Sequence, residues 1–366
     1  MYVHTKLVLS LTRIDFHFWI YLSVMKKKIT IKDIAKVANV SIGTVDRVIH
    51  KRGKVSEKAL LKVNAALEEL NYKANPLARS LKNNVIYTIA ILIPDPEKDL
   101  YWLPCRKGIE EVISEYEAFD VDISVHFFDP SKPTSFVQKG MELIAMCPNA
   151  FLFVPLFERE SDRLLEALNQ RDIIKATFNS LPRNHVDQHV GQDLYLSGRV
   201  GAKLIYDFVR PASKIAIIHI DEAFNNAIHM QQKEEGFKSF FKEMSPGHEI
   251  HTKIVDTEQI RQTLSDFIQE NQITMFFVTT SKTYEVARTL ESLDMAGTVV
   301  GYDLLPENLS YLKKGRIQFL IHQAPGLQAS LSLKSLVEKL LFDKESPKKQ
   351  LLPIEIINSE NVESYP

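Results

Sequence analysis

The sequence predicts two parts of different class: a small all-α head near the N-terminus and a large α/β body of two doubly wound lobes. Three observations carry this. Between residues 29 and 82, apolar residues recur at helical spacing and are punctuated by capping residues. From residue 85, short apolar runs alternate with amphipathic stretches, the pattern of parallel strands covered by helices on both faces. Charge divides at the same place. Residues 25–84 carry fourteen Lys/Arg against five Asp/Glu, a net +9, while residues 85–366 carry −11 within a whole-chain net of −1.

In the head, Thr30 followed by Asp33 fits a capping box, and Ile31, Ile34, Ala35 and Ala38 then form one apolar face. Asn39 suits a left-handed helix stop. Only Val40 intervenes before Ser41, an N-cap for a second helix carrying Val45, Val48 and Ile49. Two helices joined by about three or four residues have helix-turn-helix geometry. Ser56 caps a third helix whose Leu60, Val63, Leu67 and Leu70 share a face. Asn75-Pro76 then opens a short fourth helix, with a side-chain cap followed by proline at the first helical position. A basic head on an acidic body suits a DNA-binding head that alone meets phosphate. A small helical domain with a solvated basic face explains the charge, but not the coincident caps and short turn.

In the body, strands are predicted at 87–95, 121–129, 150–156, 173–179, 214–220, 250–255, 274–280 and 297–303. Helices are predicted at 104–117, 134–146, 159–169, 194–209, 229–243, 257–270, 282–293 and 323–342. The set divides into two similar halves near residue 180 and again near 305–325. Two such lobes bind a small molecule in the cleft, at the carboxyl ends of the strands.

Composition and motifs exclude several classes. With 366 residues the chain has room for two or three domains, and 45% hydrophobic with 25% charged residues is ordinary for a soluble globular protein. Cys105 and Cys147 show no metal or redox spacing and, without an export signal, read as reduced cytosolic thiols. No two glycines are spaced G-x-G and no G-x-S-x-G occurs, so neither a cofactor nor enzyme activity is expected. His185 and His189 fall in a polar loop, PRNHVDQHV, and His248 and His251 flank a turn, so no metal is expected either. Residues 1–24 are apolar but broken by Arg13, Asp15 and His17, unlike a spanning helix or a secretory signal. They read as a non-native or disordered extension before a true start at Met25; a membrane-associating tail is the other reading.

The segments VSIGTVDRVIH, KVSEKALLKVNAALEELNY and NPLARSL resemble the lactose-repressor and galactose-repressor (LacI/GalR) family of bacterial transcription regulators. The resemblance is specific over residues 29–82 and continues more loosely to the C-terminus. It implies a helix-turn-helix domain at 25–73, a hinge helix at 74–84, and an effector-binding and dimerisation domain at 85–366 with the type I periplasmic-binding-protein fold. The second helix would enter the major groove, and the hinge helices of a homodimer the minor groove. Carried onto this sequence, the base-reading positions are Ile42, Gly43 and Arg47; a guanidinium can donate two bonds to guanine O6 and N7. Thr30, Ser41, Thr44, His50, Lys54 and Ser56 match positions that meet phosphate. Leu81 matches a leucine that wedges between base steps, with Ala78 beside it. Asp46 stands where many members have serine, which implies an altered operator preference.

The body is similar to the branch that includes ribose-binding and related sugar receptors. Tyr101 and Trp102, in DLYWLPCRKGIEE, match residues that stack on a sugar ring, and Asp99 sits just before them. Asn179 ends the fourth strand; Asp303 in VVGYD and Gln323 in LIHQAP match residues that hold sugar hydroxyls. Alone, a Tyr-Trp pair reads as core packing and a strand-ending Asp as a helix cap; together at successive strand ends they point to a ligand. Three positions depart from the branch. Lys233 stands where arginine is usual, and Ser180 and Thr280 replace an arginine and an asparagine. Lysine is a point donor without arginine's fork, so the cleft class carries over and ribose does not. The implied partners are a pseudo-palindromic double-stranded DNA operator, a small carbohydrate-type effector and a second copy of the chain. The location is cytoplasmic, with no membrane partner. An exported sugar receptor and a sugar-acting enzyme with a fused head are the alternatives.

Overall fold

The computed structural model describes residues 30–49, 53–70, 86–210, 213–221 and 226–365. The chain divides into two compact units, Met1–Ala78 and Arg79–Pro366.

The first unit holds α1 (Ile31–Ala38), α2 (Ile42–Ile49) and α3 (Glu57–Glu69). The capping box is complete: the Thr30 amide donates to Asp33 Oδ2 at 2.8 Å, and the Asp33 amide to Thr30 Oγ1 at 3.4 Å. Asn39 ends α1 in the left-handed region at φ 51°. The Thr44 amide donates to Ser41 Oγ at 3.1 Å, starting α2. Ile34, Ala35, Ala38, Val45, Val63 and Ala66 form the core that locks the three helices. Two local expectations change. Ser56 has N-cap backbone geometry but no side-chain cap bond. Leu60 is 40% exposed, so the buried face of α3 narrows to Val63 and Ala66, with Leu67 and Leu70 partly buried beside them. The hinge helix expected from Asn75 and the 1–24 extension lie outside the described residues.

The second unit has two six-stranded sheets. The first contains β1 (Tyr87–Pro94), β2 (Val121–Phe128), β3 (Ala150–Phe153), β4 (Ile174–Asn179), β5 (Gln188–Gly191) and β11 (Lys349–Leu351), in the order β11-β5-β4-β3-β1-β2. The second contains β6 (Ile215–Ile220), β7 (Ile250–Val255), β8 (Met275–Val278), β9 (Thr298–Tyr302), β10 (Phe319–His322) and β12 (Glu355–Ile357), in the order β12-β10-β9-β8-β6-β7. Their pairings are parallel except β10 with β12. Continuous apolar strands serve two cores. Ile89, Ile91 and Ile93 of β1 face one side, packing with Ala329, Leu333 and Val337 of α12 (Pro325–Phe342). Ala90 and Leu92 face the other, with Phe136 of α5 (Pro133–Ala145) and Leu164 of α6 (Glu158–Asn169). The period-2 alternation of a strand splits one apolar run between two helical layers. In the second lobe, α7 (Leu194–Tyr206) and α8 (Ile228–Met244) pack with backbones in contact. A Cβ added at Gly236 would lie 1.9 Å from the Tyr195 carbonyl oxygen, and one at Gly198 2.0 Å from that of Lys233.

The eight predicted strands and eight predicted helices of the body are present, with α4 (Leu103–Glu115), α9 (Ile260–Asn271) and α10 (Thr283–Ser292) completing the helices foreseen. The reading of PRNHVDQHV as a polar loop is corrected: its last part is β5, buried throughout. Parallel pairing with β4 brings Thr177 Oγ1 to 3.0 Å from His189 Nδ1, so the neighbouring strand holds one nitrogen of this buried imidazole. The first crossover therefore falls after Gly191 rather than near residue 180. The second follows His322, and a third joins β11 to β12. The strands β10 to β12 and helix α11 (Pro306–Lys313) were not foreseen. No helix among the described residues is long and apolar enough to cross a membrane.

Candidate functional site: an interlobe cavity and a helix-turn-helix face

At the start of α2 the head presents Ser41, Ile42 and Gly43 exposed, with Arg47 exposed one turn on. Ile42 is 51% exposed, although apolar, so no core demands it. A Cβ at Gly43 would meet only Ser41 Oγ, at 3.8 Å, so nothing inside the head requires glycine there. Thr30, Lys54 and Ser56 are exposed, and Thr44 and Asp46 are half-buried. The hydroxyls of Thr30 and Ser41 are engaged in the helix starts, which leaves backbone amides and residual lone pairs for an outside partner. His50, Ala78 and Leu81 lie outside the described residues.

In the body, a cavity of about 450 Å³ lies between the lobes and is lined by all eight predicted effector residues: Asp99, Tyr101, Trp102, Asn179, Lys233, Thr280, Asp303 and Gln323. Strand ends supply them. Asn179 closes β4 at φ 72°, Asp221 follows β6 at φ 62° and Asp303 follows β9 at φ 67°. Asn and Asp are the side chains that best tolerate this left-handed backbone, which ends the strand sharply at the cleft. Asp99 caps the turn Leu100–Trp102 by accepting from the Tyr101 amide at 3.1 Å. That turn presents Tyr101 and Trp102 edge to face, centroids 4.7 Å apart, yet they are only 7% and 3% exposed. Both therefore belong to the first lobe's core as well as to the cavity wall. Tyr101 Oη accepts from Asn179 Nδ2 at 2.6 Å. Ser180 is fully buried, donates to Asn179 Oδ1 and does not line the cavity.

Lys233 is 1% exposed, with its Nζ 3.5 Å from the Tyr302 ring centroid and donating to the Thr279 carbonyl at 3.0 Å. Burial holds its pKa below the usual lysine value, against the attraction of Asp303. Burial likewise raises Asp303, opposed by Lys233 and by two bonds from Gln323, the Nε2 one at 2.8 Å. Asp99 is raised mainly by burial.

Several lining residues escaped the sequence reading. Lys98 pairs with Asp129 at 2.5 Å in the first lobe, and Lys282 pairs with Asp221 in the second. His229 lines the same cavity, its Nδ1 buried with no hydrogen-bond partner among the described residues, and burial lowers its pKa to about 3. The available signal was the aspartate closing HFFD and HID at two predicted strand ends. The lobes also meet directly beside the cavity. Phe157 and Ala227 form an antiparallel bridge, and Asn226 accepts from the Glu158 and Arg159 amides while donating to Glu160 Oε2 at 2.6 Å. Among the described residues no group of three or more His, Cys, Asp or Glu is placed to hold a metal.

A helix-turn-helix unit and a two-lobed binding body with a polar-aromatic interlobe cavity define a sensor-type architecture. A family model of bacterial regulatory proteins, lacI family, matches residues 30–75, and one of the periplasmic binding protein domain matches residues 89–344. The chain belongs to the periplasmic binding protein domain family over most of its length and carries a lacI-family head. It is 41% identical over 87 residues to the ribose operon repressor of Halalkalibacterium halodurans, covering 24% of this chain and 26% of that protein. The chain spans at most about a third of the length of the curated relatives it matches. It is similar to a solved chain from Bacteroides fragilis assigned to the LacI transcriptional regulators: TM-score 0.72 and 27% identity, over 77% of this chain and 100% of that one. It shares the fold of an Agrobacterium vitis solute binding protein bound with α-D-tagatopyranose: TM-score 0.67 and 19% identity, over 75% and 96% of the two chains.

Proposed function

We propose that the protein is a cytoplasmic, sequence-specific transcription repressor whose affinity for a DNA operator is set by a small carbohydrate-type effector held between the lobes. One observation carries this reading: the eight residues singled out for effector binding, scattered from Asp99 to Gln323, line a single cavity in a chain that also has a lacI-type head. The cavity joins aromatic edges, which suit the C–H faces of a sugar, to carboxylate, amide and lysine groups that suit its hydroxyls. In a homodimer, two heads would meet half-sites about one helical turn apart, with Ile42, Gly43 and Arg47 at the base edges. Effector and operator would bias one two-state equilibrium, and their coupling would be reciprocal. The tagatopyranose of the Agrobacterium vitis protein supports the effector class, not its identity.

The test is a thermal-shift screen of sugars followed by an operator-binding assay with each hit. A ligand at a hundredfold excess over its Kd stabilises by about 2.7 kcal/mol, enough to read as a melting shift. A hit that also changes operator affinity is expected. Stabilising sugars that leave DNA binding unchanged would sink the regulatory half of the proposal, and no stabilising sugar at all would sink the effector half.

A further inference from the structure

Resting on that reading of the cavity, we infer that its effector is a polyhydroxylated sugar without an anionic group, and that phosphate esters and sugar acids are rejected by the charges lining the cavity.

Three lysines line it: two are held in ion pairs and the third is buried. Lys98 is paired with Asp129, and Lys282 with Asp221 while also donating to Thr257 Oγ1. Lys233 is buried against Tyr302, bonded to the Thr279 carbonyl, and feels Asp303 as its opposing charge. Against these stand six carboxylates: Asp99, Asp129, Asp221, Asp256, Glu258 and Asp303. The formal balance of the lining is −3. No arginine lines the cavity among the described residues, so the bidentate fork that recognises phosphate or carboxylate is missing.

An incoming phosphate would have to draw a lysine from its aspartate and leave that aspartate unpaired. Burial already holds Asp99 and Asp303 above the ordinary carboxylate range, and another anion would push both further. The helix starts at the cleft offset this little. At α10 the Tyr284 amide is taken by Asn308 Oδ1 at 2.7 Å; at α8 the N-cap is Ala227, without a side-chain cap bond, and a helix start there serves a hydroxyl oxygen as well as an anion. A hydroxyl meets the remaining demands from both sides. It donates to Asp303, whose oxygens are otherwise held only by Gln323, and accepts from the unused N–H of Lys233. One group that both donates and accepts satisfies carboxylate and ammonium together.

The experiment is calorimetric titration of the full chain with matched probes: D-ribose, D-glucose, D-galactose and D-fructose, each against its own phosphate ester, with D-galacturonate added. The best unphosphorylated sugar should bind at least tenfold more tightly than its phosphate. A phosphate or an acid binding more tightly than its parent overturns the inference while leaving the carbohydrate reading intact. If neither set binds, the carbohydrate reading falls and takes the inference with it. Asp221→Asn supplies the causal arm, since asparagine tolerates the same left-handed backbone and frees Lys282. It should narrow the gap between sugar and phosphate about tenfold; an unchanged gap overturns the charge argument.

Discussion

Gln192 Nε2 donates to the Pro353 carbonyl at 2.6 Å, and the same nitrogen reaches the His322 carbonyl at 3.0 Å. Gln192 lies on the first crossover between the lobes, His322 opens the second and Pro353 lies on the third, so one buried amide ties all three connections. Gln192→Leu keeps the volume but strands both carbonyls, and each buried unsatisfied group costs roughly 1–3 kcal/mol. The variant should unfold at lower urea, and its lobes should separate more readily, seen as a larger radius of gyration by solution scattering. Equal stability and equal size would show that the crossovers are held by their strands alone.

How much of this was legible in the sequence depends on what kind of signal each element left. Continuous apolar runs such as YTIAILIP and IAIIHI announced central strands, because a parallel strand is buried on both faces. The short elements left no such run. The four residues of β5 include Gln188 and His189, and β11 and β12 have three residues each, so only their neighbours make them strands. In the cavity, Asp99, Tyr101, Trp102, Asn179, Asp303 and Gln323 could be named from the resemblance to sugar receptors, to which Asn179 and Asp303 add their places at the ends of predicted strands. The pairs Lys98–Asp129 and Lys282–Asp221 join residues 31 and 61 positions apart. Such proximity comes from strand order, which single-strand patterns do not encode.

The glycine contacts between α7 and α8 bear on stability. At Gly236 a methyl group would press on the Tyr195 backbone, which cannot rotate away as a side-chain tip could. Overpacking of this kind costs typically 1–3 kcal/mol. Gly236→Ala should therefore lower the melting temperature clearly, whereas Gly247→Ala, with nothing within 4 Å of the added carbon, should leave it nearly unchanged. Similar melting of the two variants would mean that α7 and α8 pack less closely than described.

Acid should weaken the body through its buried histidines. Burial, aided by Lys349, holds His189 at about 4, below the ordinary 6.5, and its Nε2 has no partner among the described residues. Its folded pKa is depressed, so the stabilisation is fully present above pH 6.5 and is lost progressively as pH falls from 6.5 towards 4. The unfolded chain takes up the proton first over that window. The loss reaches roughly 3 kcal/mol at most for this one residue. Urea midpoints measured at pH 7.5 and pH 5 should differ less for His189→Gln than for the parent chain. An equal pH dependence in both would assign the acid lability to other groups, beginning with His322, which burial also holds at about 4.

Effector response and fold can be separated at the cavity. Trp102→Ala and Asp303→Ala should each abolish effector-dependent change in operator affinity while leaving binding by the free protein intact. The two are not equivalent. Trp102 is part of the first lobe's core, so its truncation also costs about 3–5 kcal/mol of stability. Asp303→Asn keeps the left-handed turn and is the cleaner variant, with its melting temperature measured alongside. If both Trp102→Ala and Asp303→Asn still respond normally to the effector, the binding site is elsewhere.

The head makes two kinds of contact that mutation should distinguish. Ile42 and Gly43 offer no side-chain hydrogen bonds, so Arg47, exposed one turn into α2, is expected to carry most of the polar base readout. A bidentate arginine–guanine contact is worth about 1–3 kcal/mol of discrimination, or roughly fivefold to 150-fold at one base pair. Arg47→Ala should therefore relax preference at that one position of each half-site in a binding-site selection experiment. Lys54, exposed before α3, is proposed to meet phosphate. Lys54→Ala should weaken all sequences alike and reduce the slope of log affinity against log salt by about one. Unchanged sequence preference in Arg47→Ala would reassign the reading role, with Asp46, beside it and able to accept from a cytosine amine, the first residue to test next.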